Sequence, residues 1–158
     1  LIISPDLRFM LGHPARVLAL GLGSGLSPWA PGTAGTLWAW AGFCVLDLWL
    51  TDVQWAWVIA TGFAVGVWAC QRTGRDLGVA DHSGMVWDEV IAFWLVLWVL
   101  PREWHYQLIA FGVFRLFDIT KPPPIRALEA RWKNGLGVMA DDLLAAAYTL
   151  LVFALWGV

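Results

Sequence analysis

Charge is scarce in this chain. Asp, Glu, Lys and Arg make up only 14% of 158 residues, against the ~25% of an ordinary soluble domain. Hydrophobic residues reach 59% and mean hydropathy is +0.66, so the material is that of a membrane protein. Cysteine is nearly absent. Cys44 and Cys70 both fall inside apolar runs, which argues against a disulfide framework and a cysteine metal site and for small buried packing residues. No nucleotide P-loop or dinucleotide fingerprint occurs, and no internal repeat or low-complexity tract is visible. The first residues lack a basic stretch followed by an apolar core, so no secretory signal is expected there. With a net charge of −2, no nucleic-acid partner is expected.

What the chain has instead is apolar length and tryptophan. "AGTLWAWAGFCVLDLWLT" (34–51) and "VQWAWVIATGFAVGVWAC" (53–70) are eighteen residues each, close to the ~20 that cross a bilayer core. "VIAFWLVLWVL" (90–100) and "WHYQLIAFGVFRLF" (104–117) are short for full spans and read equally as tilted helices, short spans or a re-entrant hairpin. A last apolar helix is expected over 141–158. The expected fold is an all-α integral membrane protein, a compact bundle of about five apolar helices in a single domain, 1–158, with catalytic loops on the cytoplasmic face. Trp38, Trp55, Trp68, Trp87, Trp104 and Trp132 fall near expected helix ends, where interfacial belts form.

Folding this path brings the starts of 34–51, 88–100 and 141–158 and the finishes of 53–70 and 104–117 to one surface. Nine basic residues (Arg8, Arg16, Arg72, Arg75, Arg115, Lys121, Arg126, Arg131 and Lys133) lie on that side and only Arg102 on the other. Such a bias marks a cytoplasmic surface. Four polar groups share it. "GLGSGLSPWAPGTAGT" (21–36) offers backbone N–H groups, the hydroxyls of Ser24, Ser27, Thr33 and Thr36, and a helix start, a combination suited to phosphate; a plain entry loop with Thr33 or Thr36 as N-cap fits equally. "DHSGMVWDE" supplies Asp81, His82, Asp88 and Glu89. "FRLFDITKPPPIR" supplies Arg115, Asp118, Lys121 and Arg126, with plus, minus and plus three residues apart on one helix face. "MADDLL" supplies Asp141 and Asp142.

Each acidic pair alone is explained as a helix cap that complements the dipole. Six acids from three segments on one small face exceed that need. They repel one another unless a cation or basic groups answer them; hard oxygen ligands suit Mg2+, and neighbouring Arg and Lys suit an anionic, phosphate-bearing substrate. His82, flanked by Asp81 and Asp88, stands between a catalytic and a structural role, whereas His13 and His105 read as interfacial side chains. Asp47, near a helix end, reads as a cap. A transporter would place ionisable groups at mid-bilayer, where only Asp47 comes close. A non-catalytic assembly factor would leave the clustered acids unexplained.

With "GLGSGLSPWAPGTAGTL", "DHSGMVWDE", "FRLFDITKPPPIR" and "GLGVMADDLLA" in unchanged order from Gly21 to Ala146, the chain closely resembles the phosphatidylglycerophosphatase A family. The resemblance implies a bacterial inner-membrane, multi-pass, Mg2+-dependent hydrolase that converts phosphatidylglycerophosphate to phosphatidylglycerol and inorganic phosphate. Matching positions are Asp81, His82, Asp88, Glu89, Arg115, Asp118, Lys121, Pro122, Asp141 and Asp142; Pro123 departs where many relatives look aromatic. No Cys-x5-Arg loop is present, which excludes a cysteinyl-phosphate mechanism. On this reading Asp88, Glu89, Asp141 and Asp142 hold Mg2+. Arg115, Lys121 and the loop hydroxyls of Ser24, Ser27, Thr33 and Thr36 bind the head group, while Asp81, His82 and Asp118 position water, move protons or attack. Residues 123–133 read as an in-plane helix that holds anionic lipid. The oligomeric state and the number of metal ions are left open.

Overall fold

A computed structural model of the chain describes residues 3–158, and among them every regular element is helical. In order these are α1 (Leu7–Leu11), α2 (Pro14–Ala19), a 3-10 stretch over Gly21–Leu26, α3 (Pro31–Leu46), α4 (Asp52–Leu77), α5 (Trp87–Val99), α6 (Trp104–Thr120), α7 (Ile125–Arg131) and α8 (Gly135–Trp156). Two of them, α4 and α8, are long and apolar enough to cross a bilayer.

The short apolar run at 90–100 has a role its length already hints at. A helix of 13 residues spans only about 20 Å, and α5 is buried on all sides, with Val90, Ile91, Ala92, Phe93, Val96 and Leu97 inaccessible. It packs against α3, α4, α6 and α8. A helix apolar all round is a core helix, and α5 is the post around which the longer helices stand. Gly62 and Gly66 on α4 make the approach possible, because a Cβ at either would collide with Ile91 or Trp87 of α5.

Tryptophan ties the bundle from within as well as coating it. Trp38, Trp68, Trp104 and Trp132 are exposed, as an interfacial belt requires, but Trp55 and Trp87 are buried. The Trp55 ring stacks on Phe43 at 4.6 Å between centroids and its indole N–H donates to Asp47 Oδ1 at 2.9 Å. The Trp87 N–H donates to the Gly62 carbonyl at 2.9 Å, and Trp94 donates to the Ala39 carbonyl at 2.8 Å. Each indole thus pairs its one donor while burying a large apolar face. Of the six tryptophans expected in an interfacial belt, four are therefore exposed and two are core residues.

Helix ends also differ from the sequence expectation. α4 runs past Cys70 through "QRTGRDL" in spite of Gly74: Arg72 reaches Asp76 one turn on, Arg16 of α2 holds the same carboxylate at 3.0 Å, and Gly78, at φ 82°, ends the helix in the left-handed conformation. At the opposite end of the bundle Arg102 binds Asp47 at 3.1 Å and Asp52 at 3.2 Å. Asp47 is thus the ion-paired C-cap of α3.

Candidate functional site

The starts of α3 and α5, the third turn of α8 and the end of α6 surround a cavity of about 390 Å3, lined among others by Ala30, Pro31, Gly32, Asp81, His82, Asp88, Glu89, Arg115, Asp118, Lys121 and Asp142. Asp88 and Glu89 stand in the first turn of α5, where a carboxylate complements the helix dipole, although no side chain caps this helix. The other pair is different. α8 begins at Gly135 with the Asn134 side chain accepting from the Gly137 N–H at 2.9 Å. Asp141 and Asp142 therefore lie six and seven residues past Gly135, roughly 9–10 Å from the helix start, and both are 2% exposed. The first-turn donors already have their cap, so this pair caps nothing.

Carboxylates fall into three overlapping groups whose oxygens lie within 4.8 Å of one another: Asp81–Glu129–Asp141, Glu89–Asp118–Asp142 and Asp88–Asp141–Asp142. Basic side chains serve the first two. Lys121 Nζ lies 3.2 Å from Asp141 and 3.7 Å from Glu129. Arg115 is bound tightly to Asp118 and sits 3.8 Å from Glu89. The third group has Lys121 only at its edge, through the other oxygen of Asp141. Six buried side-chain polar atoms lack a partner among the described residues, and five belong here: Asp88 Oδ1, Glu89 Oε2, Asp141 Oδ1, Asp142 Oδ2 and Arg115 Nε. Buried carboxylate oxygens left unpaired cost several kcal/mol unless a cation answers them. One oxygen from each member of Asp88–Asp141–Asp142 is orphaned, with Glu89 adjacent, so this donor set fits a divalent cation with oxygen ligands.

Two residues at the rim are strained. Ala30 (φ 41°) and Lys121 (φ 46°) are non-glycine residues in the left-handed region, each followed by proline, and such a conformation costs about 1–2 kcal/mol. The turn at Lys121 takes its side chain off the face of α6 and swings it to Asp141 on α8, so the plus, minus, plus face expected from the spacing is broken at its last member. Burial would pull the Lys121 ammonium down, but the carboxylates of Asp141, Asp142, Asp118 and Glu129 outweigh it and hold the group above its ordinary value. The Asp81 carboxyl is pushed up to about 7, first by desolvation and then by the Asp141 carboxylate, with Lys121 opposing. Its side chain still meets solvent, which screens part of that push.

His82 Nδ1 accepts the Gly84 N–H at 2.9 Å, so one ring nitrogen shapes the turn and the other is left for the cavity. The loop hydroxyls do not come to this cavity. Ser24 donates to the Gly21 carbonyl, Ser27 to that of Trp29, and Thr36, fully buried, to that of Gly32; Thr33 is not among the lining residues either. Short polar side chains in turns bond their own backbone, and here the loop reaches the cavity through backbone at Ala30–Gly32. The approach is close: a Cβ at Gly32 would lie 2.9 and 3.0 Å from the two Arg115 Nη atoms and 3.1 Å from Glu89 Oε1. Glu129 is a site residue that the sequence reading missed; the three prolines that return the chain over the cavity were its only signal.

A helical chain with an apolar exterior and a buried, cation-suited carboxylate cluster beside an arginine and a helix N-terminus has the features of a metal-assisted enzyme acting on anions. The phosphatidylglycerophosphatase A family model matches residues 17–156, and the chain belongs to that family. It is 40% identical over 139 residues to phosphatidylglycerophosphatase A of Escherichia coli K12, covering 87% of this chain and 80% of the relative. It is 43% identical over 152 residues to the Haemophilus influenzae protein of the same name, covering 94% and 92%. A Bacteroides thetaiotaomicron relative, 40% identical over 147 residues (87% and 90%), carries a provisional name as a phosphatidylinositol-3-phosphatase. No solved structure matches the chain at a significant level.

Proposed function

We propose that this protein is a phosphatidylglycerophosphatase: a Mg2+-dependent phosphoric monoester hydrolase that removes the terminal phosphate of phosphatidylglycerophosphate and leaves phosphatidylglycerol in the membrane. The observation that carries the chemistry is the set of orphaned oxygens on Asp88, Asp141 and Asp142, beside Glu89 and Arg115. Bound there, Mg2+ would supply charge neutralisation for a phosphoryl group, and often the larger part of catalysis of this kind is such electrostatic stabilisation. Arg115, with Nε unpaired, and the N-terminal turn of α3 at Gly32 would grip phosphate oxygens. Asp118 holds the Arg115 guanidinium in place. Lys121 neutralises Asp141 and Glu129 and so keeps the cavity from repelling the anion. Asp81 and the free ring nitrogen of His82, on the loop that covers the cavity, are the groups placed to orient water or hand a proton to the leaving glycerol oxygen.

The same reading makes the protein a multi-pass resident of the bacterial inner membrane with the cavity facing the cytoplasm, and the whole chain one domain. Large apolar side chains exposed on α3, α4, α6 and α8, among them Leu37, Val45, Trp57, Val65, Leu108, Leu116, Leu151 and Leu155, support a lipid-covered bundle of five helices, with α5 at its centre. The nine-to-one division of basic residues supports the orientation. Purified protein in detergent should release phosphate from phosphatidylglycerophosphate with Mg2+ and none with chelator. Given the third relative, phosphatidylinositol 3-phosphate belongs in the same panel: faster release from it than from phosphatidylglycerophosphate would move the head-group assignment, and release from neither would overturn the function.

A further inference from the structure

We propose that the cavity beneath α7 is a second anion subsite, in which Arg126 and Lys133 hold the phosphodiester of the lipid whose terminal monoester lies in the first cavity. The inference rests on the proposed function, because only a substrate with two phosphates needs two such sites. Phosphatidylglycerophosphate carries a monoester and a diester separated by one glycerol, and a single cation-centred pocket cannot serve both. The second cavity measures about 420 Å3 and shares Asp81 with the first. Asp141 stands between them, lining the second cavity while it binds Lys121, which lines the first.

Charge inside the second cavity is divided. Glu129 and Asp141, which line it, both face Lys121. Arg126 and Lys133, which also line the cavity, take part in no ion pair among the described residues. Arg126 is not loose, since one Nη donates to the Thr120 carbonyl at 3.3 Å and leaves the rest of the fork free. Arg126 and Lys133 are exposed whereas Asp141 is buried, which defines a direction: the diester sits at the exposed side and the glycerol runs past Asp81, which both cavities share. Val79, Ala80 and Val138 give that path an apolar lining, and the partly exposed Trp132 offers an amphipathic edge to the lipid beyond. Arg131, on the same helix, does not line the cavity.

Binding of short-chain phosphatidylglycerol, which has the diester and no monoester, can be measured by titration calorimetry in nonionic detergent with Mg2+, with inorganic phosphate as the second probe. Arg126→Gln combined with Lys133→Gln should weaken phosphatidylglycerol binding about tenfold or more, the effect of losing charge-assisted hydrogen bonds, and leave phosphate binding unchanged. Arg131→Gln, which removes one positive charge from α7 outside the cavity, should leave both affinities near wild type, and Arg126→Gln alone, the matching single change, should already weaken phosphatidylglycerol binding. Equal weakening by Arg131→Gln would show general attraction to an anionic surface and overturn the subsite. So would equal loss of phosphate binding in the double variant, unchanged phosphatidylglycerol binding, or no measurable phosphatidylglycerol binding in the wild type. Failure to release phosphate from phosphatidylglycerophosphate would remove the proposed function, and the calorimetry would still read this cavity by itself.

Discussion

Gly32→Ala should impair the enzyme while leaving its fold as stable as before. The residue occupies the second position of α3, with a φ that any L-residue adopts, and alanine is the better helix former by up to ~1 kcal/mol. The added methyl would stand 2.9 Å from one Arg115 Nη and 3.0 Å from the other, where ordinary contact starts at 3.4 Å. The guanidinium must therefore retreat by roughly 0.5 Å, the tolerance within which a productive site is held. Misplacement of about 1 Å can cost 10²-fold, so kcat/KM for phosphatidylglycerophosphate should fall about 10- to 100-fold. The Mg2+ concentration for half-maximal rate should move far less, since the methyl touches none of Asp88, Asp141 and Asp142 and meets Glu89 at Oε1, 3.1 Å away, rather than at its unpaired Oε2. Phosphate release at varied lipid and metal, with thermal unfolding in detergent as control, measures all three quantities. A folded Gly32→Ala protein with wild-type kcat/KM would refute the placement of the substrate phosphate against α3 and Arg115, as would a change confined to metal affinity.

Asp142→Asn removes a buried charge that the chain itself leaves unanswered, so in chelator the variant should unfold at a higher temperature than the wild type; the stabilisation that Mg2+ gives the wild type should be lost in it. Equal responses to Mg2+ in both would count against the metal role of that residue. Ser27→Ala should keep near-normal activity, because its hydroxyl serves the Trp29 carbonyl; a large loss would restore the loop hydroxyls to substrate binding. Membrane orientation can be read with a membrane-impermeant thiol reagent in a background lacking Cys44 and Cys70. Ala127→Cys should resist labelling from outside intact cells and Glu103→Cys should be labelled, and the reverse pattern would invert the topology.

Much of the architecture is legible in the sequence because apolar length is a strong signal: the helical class follows from it, and so does the meeting of the starts of α3 and α5 with the end of α6 at one polar cavity. Depth is what the sequence hides. "NGLG" before Val138 reads as a loop, since glycine is a poor helix former, yet α8 starts there. A Cβ at Gly135 would strike the Val67 carbonyl and one at Gly137 the Trp132 carbonyl, so these glycines let the helix start against its neighbours. That moves Asp141 and Asp142 from a helix mouth to its interior and removes capping as their explanation. The loop hydroxyls differ for the opposite reason: their composition suits phosphate, but the backbone takes those of Ser24, Ser27 and Thr36. Trp55 and Trp87 lie near helix ends as expected, and only packing against Phe43 and Trp94 decides that they face inward. Glu129 enters through the turn at Lys121, which no spacing rule foretells.

The account stands on a divalent cation held by Asp88, Asp141 and Asp142. Mn2+ in place of Mg2+ makes that site visible, and electron paramagnetic resonance titration of detergent-purified protein reads free and bound ion directly. Wild type and Glu129→Gln should both bind Mn2+ saturably and lose it to excess Mg2+, whereas Asp88→Asn and Asp142→Asn should bind far more weakly while remaining folded. Undiminished binding in Asp88→Asn and Asp142→Asn, with loss in Glu129→Gln, would place the cation with Asp81 and Glu129 and contradict the account.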